Sequence, residues 1–186
     1  NDPVGALLTE EMRFPAHRID PAPRFDGVFP LDLDGDGEID LHRFSKPPLE
    51  ADVIVDGSHA LRVIAVHAKS KAPHGAESRE EAARISLTNR RKQLAQCAWL
   101  RARLDEHLGA DEDVITLGDF NDGPGLDKYE RVFGRSGVEV VIGDQMRPHL
   151  QMKTPFTRPV SPSQERPATA RFYNRRNGRY LNALID

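Results

Sequence analysis

Apolar and polar positions fall into runs of unequal length, and the runs sort into short strands and one long helix. Val53-Ile54-Val55 is a short apolar run closed by the turn pair Asp56-Gly57. Leu61 to Val66 follows as a second run, so the two predict a β-hairpin. The second run is nearly continuously apolar, which predicts a strand covered on both faces. From Asn89 to Leu108 the apolar spacing changes to three and four. Leu94, Cys97, Leu100, Leu104 and Leu108 form one stripe of a helix, and Gly109 is its expected stop. On that stripe Cys97 reads as a packing residue. Val114 to Leu117, Val138 to Ile142 and Tyr180 to Ile185 read as further strands. Residues 1–48, broken by Pro3, Pro15, Pro21, Pro23, Pro30, Pro47 and Pro48, read as loop-rich. Residues 144–170, with five prolines, read as a long surface connection. Strands interleaved with a long helix give the α/β (α+β) class.

Composition adds bounds. The chain has 186 residues, which fits a single domain over 1–186. Hydrophobic residues make up 38%, enough for a core. A net charge of −3 excludes a strongly basic protein that coats nucleic acid by bulk charge, and leaves room for a local grip on phosphate. The single cysteine excludes an intrachain disulfide and a zinc cluster of the CxxC type. No apolar run is long enough to span a membrane.

Candidate chemistry sits at strand ends. In LGDFND, Leu117 to Asp122, the carboxylate of Asp119 and the amide of Asn121 leave a strand with one residue between them. Asp119 can bind a hard cation or accept a proton, and Asn121 can bond a phosphoryl oxygen without adding negative charge. The structural alternative is an Asx turn closing the strand. In VHAKSK, Val66 to Lys71, His67 stands at the mouth of an apolar run, where a satisfied core histidine is the alternative. Asp186 ends LNALID in the same manner.

These elements resemble the endonuclease/exonuclease/phosphatase superfamily. The resemblance is carried by FSKPPLEADV (Phe44 to Val53), VIAVHAKSK (Val63 to Lys71), NRRKQLAQ (Asn89 to Gln96), VITLGDFNDGPG (Val114 to Gly125) and YLNALID (Tyr180 to Asp186), and it covers about residues 43–186. The H-x-K-S-K element is most like the bacterial extracellular nuclease branch. The resemblance implies a four-layer sandwich of two mixed β-sheets flanked by helices, and hydrolysis of phosphodiesters with Mg²⁺ or Mn²⁺. It implies that His67 bonds a nonbridging phosphate oxygen, Asp119 orients or deprotonates the attacking water, Asn121 holds phosphate, and Asp186 shapes the phosphate and metal site. Lys46 and Lys69 would contact substrate phosphate. Lys46 stands where the family has arginine, so the charge is kept and the bidentate fork is lost. The family's N-terminal glutamate motif and its C-terminal S-D-H motif have no counterpart in these residues. The chain is therefore expected to be a domain truncated at both ends, with an incomplete and by itself nearly inactive site.

A second site is independent of the first. In DLDGDGEID, Asp32, Asp34, Asp36 and Asp40 take positions 1, 3, 5 and 9 of a calcium loop, Gly37 the sharp turn, and the Glu38 carbonyl position 7. Position 12 is Arg43, and Pro30 argues against an entering helix, so a short integrin-type loop fits better than an EF-hand. The expected ion is Ca²⁺, which tilts localisation towards secreted or periplasmic. Arg90, Arg91 and Lys92 on the helix, and Arg171, Arg175, Arg176 and Arg179 around Tyr173 and Tyr180, could track a nucleic-acid backbone; a solvated face is the alternative. No protein partner is legible. The rival function is a non-catalytic calcium-stabilised module on a decayed phosphoesterase scaffold.

Overall fold

A computed structural model of the chain describes residues 16–17, 27–55, 59–122, 131, 133–154, 170–174 and 178–183. In chain order they form β1 (Ala16–His17), β2 (Val28–Leu31), β3 (Asp40–Arg43), β4 (Leu49–Val55), β5 (His59–His67), α1 (Arg79–Gly109), β6 (Val114–Asp119), α2 (Gly137–Ile142), a 3₁₀ turn (Pro148–Leu150), β7 (Ala170–Asn174) and β8 (Arg179–Ala183). This is an α+β fold. One mixed sheet has the order β1-β4-β5-β6, and β2-β3 and β7-β8 are separate two-stranded sheets.

The expected hairpin is β4–β5, antiparallel from Leu49↔Ala65 to Val55↔His59. Strand β6 then runs parallel to β5, from Arg62↔Val114 to His67↔Asp119. A parallel neighbour requires a crossover, and α1 supplies it. Ile64 and Val66 on the inner face of β5 pack with Cys97, Leu100 and Leu104 of α1 and Val141 of α2. On the opposite face, half-buried Val63 and Ala65 stand in register with Ile115 and Leu117, which are exposed. Burial on both faces therefore holds for only one face among the described residues.

Residues 28–43 are more ordered than their prolines imply. Strands β2 and β3 form a hairpin, with Pro30 in β2 and the Asp-rich loop as its connection. Phe29 and Phe44 anchor it against Ala95 and Trp99 of α1; the Phe44 and Trp99 rings meet edge to face at 5.4 Å.

Two further expectations need correction. Val138 to Ile142 is helix α2, not a strand. Ser136 accepts from the Glu139 N–H while the Glu139 side chain reaches back to the Ser136 N–H, and this capping box outweighs the β-branched run. Helix α1 begins ten residues before Asn89. Ser78 caps it by accepting from the Glu81 N–H at 3.1 Å, and Glu80 and Glu81 lie in its first turn, where negative charge favours the dipole. Among the described residues no helix is long and apolar enough to cross a membrane.

Candidate active site and acidic loop

The parallel register of β5 and β6 brings His67 opposite Asp119. His67 Nε2 lies 3.8 Å from Asp119 Oδ2, too far for a hydrogen bond and close enough for both to touch one small ligand. Their side chains are 45% and 29% exposed, so the pair opens to solvent. Lys46, just ahead of β4, reaches the same edge: its Nζ is 3.1 Å from His67 Nδ1. An ammonium only donates, so in this contact a neutral imidazole would accept at Nδ1 and carry its proton on Nε2, the nitrogen nearer Asp119.

The turn after β6 fixes Asp119. Gly118 has φ 124°, and a Cβ there would run into the Val66 carbonyl, so the residue before the carboxylate must be glycine. Asp119 Oδ1 accepts from the Asn121 N–H at 2.8 Å, and the Asp119 carbonyl accepts from Ala68 N–H at 2.8 Å. The Asx turn weighed as a structural alternative is thus present, and it occupies one carboxylate oxygen only. Asn121 adopts φ 50°, which asparagine tolerates, and its Nδ2 donates to the Ala68 carbonyl at 3.0 Å. That amide ties the two strand ends together, and its Oδ1 remains the polar atom with no hydrogen bond of its own among the described residues.

Helix α1 supplies residues that the apolar stripe did not reveal. Gln93 Nε2 donates to the Phe120 and Asn121 carbonyls at 2.8 and 3.0 Å. Gln96 Oε1 accepts from the Lys69 N–H at 2.7 Å while its Nε2 donates to the Arg43 carbonyl at 2.9 Å. Asn89 Nδ2 donates to the Ala72 carbonyl at 2.9 Å. All three are buried. Buried amides aimed at loop backbone hold both strand-end loops in place. Behind them Asp122, 3% exposed, accepts from Lys71 Nζ and the Gly137 N–H, each at 2.6 Å, and so links the site loop to the start of α2.

Of the remaining candidates, Lys69 is half-buried and joined through its backbone N–H to Gln96. Asp186 lies outside the described residues. Arg90 does not belong to a basic surface: it is buried and donates to the Ser86 carbonyl. Arg91 is exposed, and its charge is met by Asp34 at 2.6 Å and Asp40 at 3.4 Å.

In the acidic loop, carboxylate oxygens of Asp32, Asp34 and Asp36 lie within 4.8 Å of one another. Asp32 accepts from the Gly35 and Gly37 N–H groups, and Asp36 from that of Glu38, so the backbone curls around the carboxylates. Asp40 is not part of this convergence. It begins β3, where pairing with Leu31 fixes its backbone, and its carboxylate turns to Arg91. A cavity of ≈ 480 Å³ opens beside the loop, with Asp32, Asp34, Arg91, Leu94, Arg101 and Val140 in its lining. His67, Asp119 and Asn121 do not line it.

Compared with protein-family models, with curated proteins and with solved structures, the chain gives no match.

Proposed function

We propose that the chain is a divalent-metal-dependent phosphoesterase domain of the endonuclease/exonuclease/phosphatase type, acting on phosphodiesters. The observation that carries the reading is the opposition of His67 and Asp119 at the ends of two parallel strands, with Lys46 beside the imidazole. An ammonium, an imidazole N–H and a carboxylate oxygen around one opening suit phosphoryl transfer. The first two can offset charge on the phosphoryl oxygens, and the third can accept a proton from water. Asn121 and Gln93 act as positioning residues for the Asp119 turn. The exposed apolar strip of Ile115 and Leu117 favours a four-layer sandwich, whose second sheet would cover it. A hard cation fits the donor chemistry. Mg²⁺ is commonly held by one or two carboxylates plus waters and phosphate oxygens, and Asp119 offers the first carboxylate. When bound, the ion would neutralise phosphoryl charge.

The test is hydrolysis of bis(p-nitrophenyl) phosphate by the protein as encoded in full, with Mg²⁺ or Mn²⁺. Asp119→Ala is expected to lower kcat by about a hundredfold or more, the scale of losing an acid–base group. An unchanged rate in a folded variant overturns the role of Asp119.

The convergence of Asp32, Asp34 and Asp36 supports a second reading, a Ca²⁺ loop completed by the Glu38 carbonyl. Three carboxylates this close repel one another, and an ion bound only by the folded loop would add its binding energy to stability, about 2.7 kcal/mol at a hundred times Kd. Millimolar Ca²⁺ is therefore expected to raise the Tm of the wild type and not of Asp34→Asn/Asp36→Asn. Equal responses in the two proteins, or none in either, overturn the loop as a calcium site. A calcium response together with no phosphodiester hydrolysis would favour the rival, a non-catalytic calcium-stabilised module.

A further inference from the structure

The β7–β8 hairpin carries a feature that neither the strand-end site nor the acidic loop uses. Residues 170–183, ARFYNRRNGRYLNA, hold four arginines and no acidic residue, in a chain whose net charge is −3. Tyr173 and Tyr180 are directly opposed across the hairpin, with ring centroids 5.2 Å apart and planes inclined by 55°. Arg171 lies over the Tyr180 ring, its Cζ 4.0 Å from the centroid. A cross-strand aromatic pair normally contributes by burying area. Here the two tyrosines remain 55% and 59% exposed, so most of that area stays in water.

We infer that this hairpin is a docking surface for single-stranded nucleic acid, with Tyr173 and Tyr180 stacking on unpaired bases and Arg171 engaging the adjacent phosphate. A stretch whose sequence is basic, in a chain of net charge −3, matches a polyanion, and Arg171 is the arginine whose side chain stands beside the rings. The planar groups select among polyanions. Guanidinium over ring beside ring is a platform for planar bases, and every base has a π-face, so such a platform tolerates sequence. Bases in a duplex hide their faces in the stack, so the platform favours a single strand. Acidic peptides would meet the arginines and leave both rings unused. This surface goes beyond the phosphoesterase reading and does not depend on it, because binding is measured without turnover.

The experiment is fluorescence anisotropy of a labelled oligo(dT) 12-mer with the chain in EDTA at low salt. Comparison probes are the matching dT·dA duplex and vesicles of phosphatidylserine and phosphatidylcholine. Single-strand binding is expected, with quenching of tyrosine fluorescence. Tyr173→Leu and Tyr180→Leu are each expected to weaken it about five- to hundredfold, the range for losing one stacked base. Arg171→Ala is expected to flatten the slope of log affinity on log salt by about 0.7, one phosphate contact on a single strand. Tyr173→Phe/Tyr180→Phe should bind within about threefold of wild type, since phenylalanine also stacks. That variant keeps the proposal testable if the leucine variants lose the hairpin. Unchanged affinity in folded leucine variants, loss of binding in the phenylalanine variant, duplex binding as tight as single-strand binding, or vesicle binding that displaces the oligonucleotide would each overturn the inference.

Discussion

Around Arg62, near the start of β5, ionic side chains from β4, β5 and α1 close on one another. At the far end, where β5 and β6 stop, His67 and Asp119 stand 3.8 Å apart and open to water. In the first cluster Arg103 grips both oxygens of Glu50, at 2.7 and 2.9 Å, and Arg62 Nε lies 2.6 Å from Asp52. His107 bonds Glu112 through Nδ1 at 2.8 Å. The Glu50 and Asp52 side chains are each 7% exposed. Charges buried this deeply persist only when paired, and the Glu50 and Asp52 carboxylates are ion-paired within the chain, although Arg62 Nε and His107 Nε2 make no hydrogen bond there. The opposite end has two groups of complementary character held by backbone turns and not by each other. That difference separates a cluster that fastens α1 to the sheet from one available for chemistry, although both would count as charged residues on the same strands.

Glu50 is the residue whose loss is expected to cost the fold most. Glu50→Gln keeps the size and removes the charge, leaving the Arg103 fork and Arg62 without their shared anion. Removing one partner of a buried pair costs about 3–5 kcal/mol. Arg103 is 29% exposed, so water recovers part of this, and a loss of roughly 2–3 kcal/mol is expected. In a chain of this size that corresponds to a Tm drop of roughly 5–10 °C. A loss under about 0.5 kcal/mol in urea titration would mean that the cluster fastens nothing.

Acid is expected to loosen the same cluster. Burial alone would push the Glu50 carboxyl up, but the Arg103 hydrogen bond and the charges of Arg103, His107 and Arg62 together hold it below its ordinary 4.5. A carboxyl lowered in the folded state contributes stability that is full above the unfolded value, near 4.5, and is lost as pH falls through the lower folded value. Stability measured from pH 5 downwards should therefore fall more steeply in wild type than in Glu50→Gln.

The two ends also differ in how far the sequence disclosed them. The apolar runs of β4, β5 and β6 were legible because short, nearly continuous apolar runs and the Asp56-Gly57 turn pair mark strands, and the parallel pairing of β5 with β6 brings His67 and Asp119 together. The polar half of α1 was not, because Ser86, Asn89, Gln93 and Gln96 break an apolar stripe while continuing the same face at spacings of three and four. The amides of Asn89, Gln93 and Gln96 face loop backbone where Cys97, Leu100 and Leu104 face the core, so periodicity of burial continues where periodicity of hydrophobicity stops. Both helix starts carried a legible mark, Ser78-Arg79-Glu80-Glu81 and Ser136-Gly137-Val138-Glu139, each an S-x-x-E placed to cap. In the second, β-branched Val138, Val140 and Val141 favoured a strand reading, and the cap decided otherwise. The Glu50–Arg103 contact had no local signal, since it joins residues 53 apart.

The smallest expected effect is the most discriminating. Asp119→Asn changes one oxygen of a carboxylate for an NH₂. The remaining oxygen can still accept from the Asn121 N–H, so the Asx turn that shapes the loop survives. His67 is nearly half exposed and, among the described residues, its side chain hydrogen-bonds only the exposed Lys46, so His67→Gln removes little buried area. Each variant should therefore keep its stability within about 0.5 kcal/mol of wild type, the usual range for surface changes. The charge and proton chemistry of the edge disappear all the same. Parallel urea titrations of Asp119→Asn, His67→Gln and Glu50→Gln decide the matter. A loss at the His67–Asp119 end as large as that at Glu50 would make both ends fasteners and leave the strand ends without a free chemical group. A small loss, alongside a collapse of phosphodiester hydrolysis in the full protein, is the outcome expected of groups held for a ligand and not for the fold.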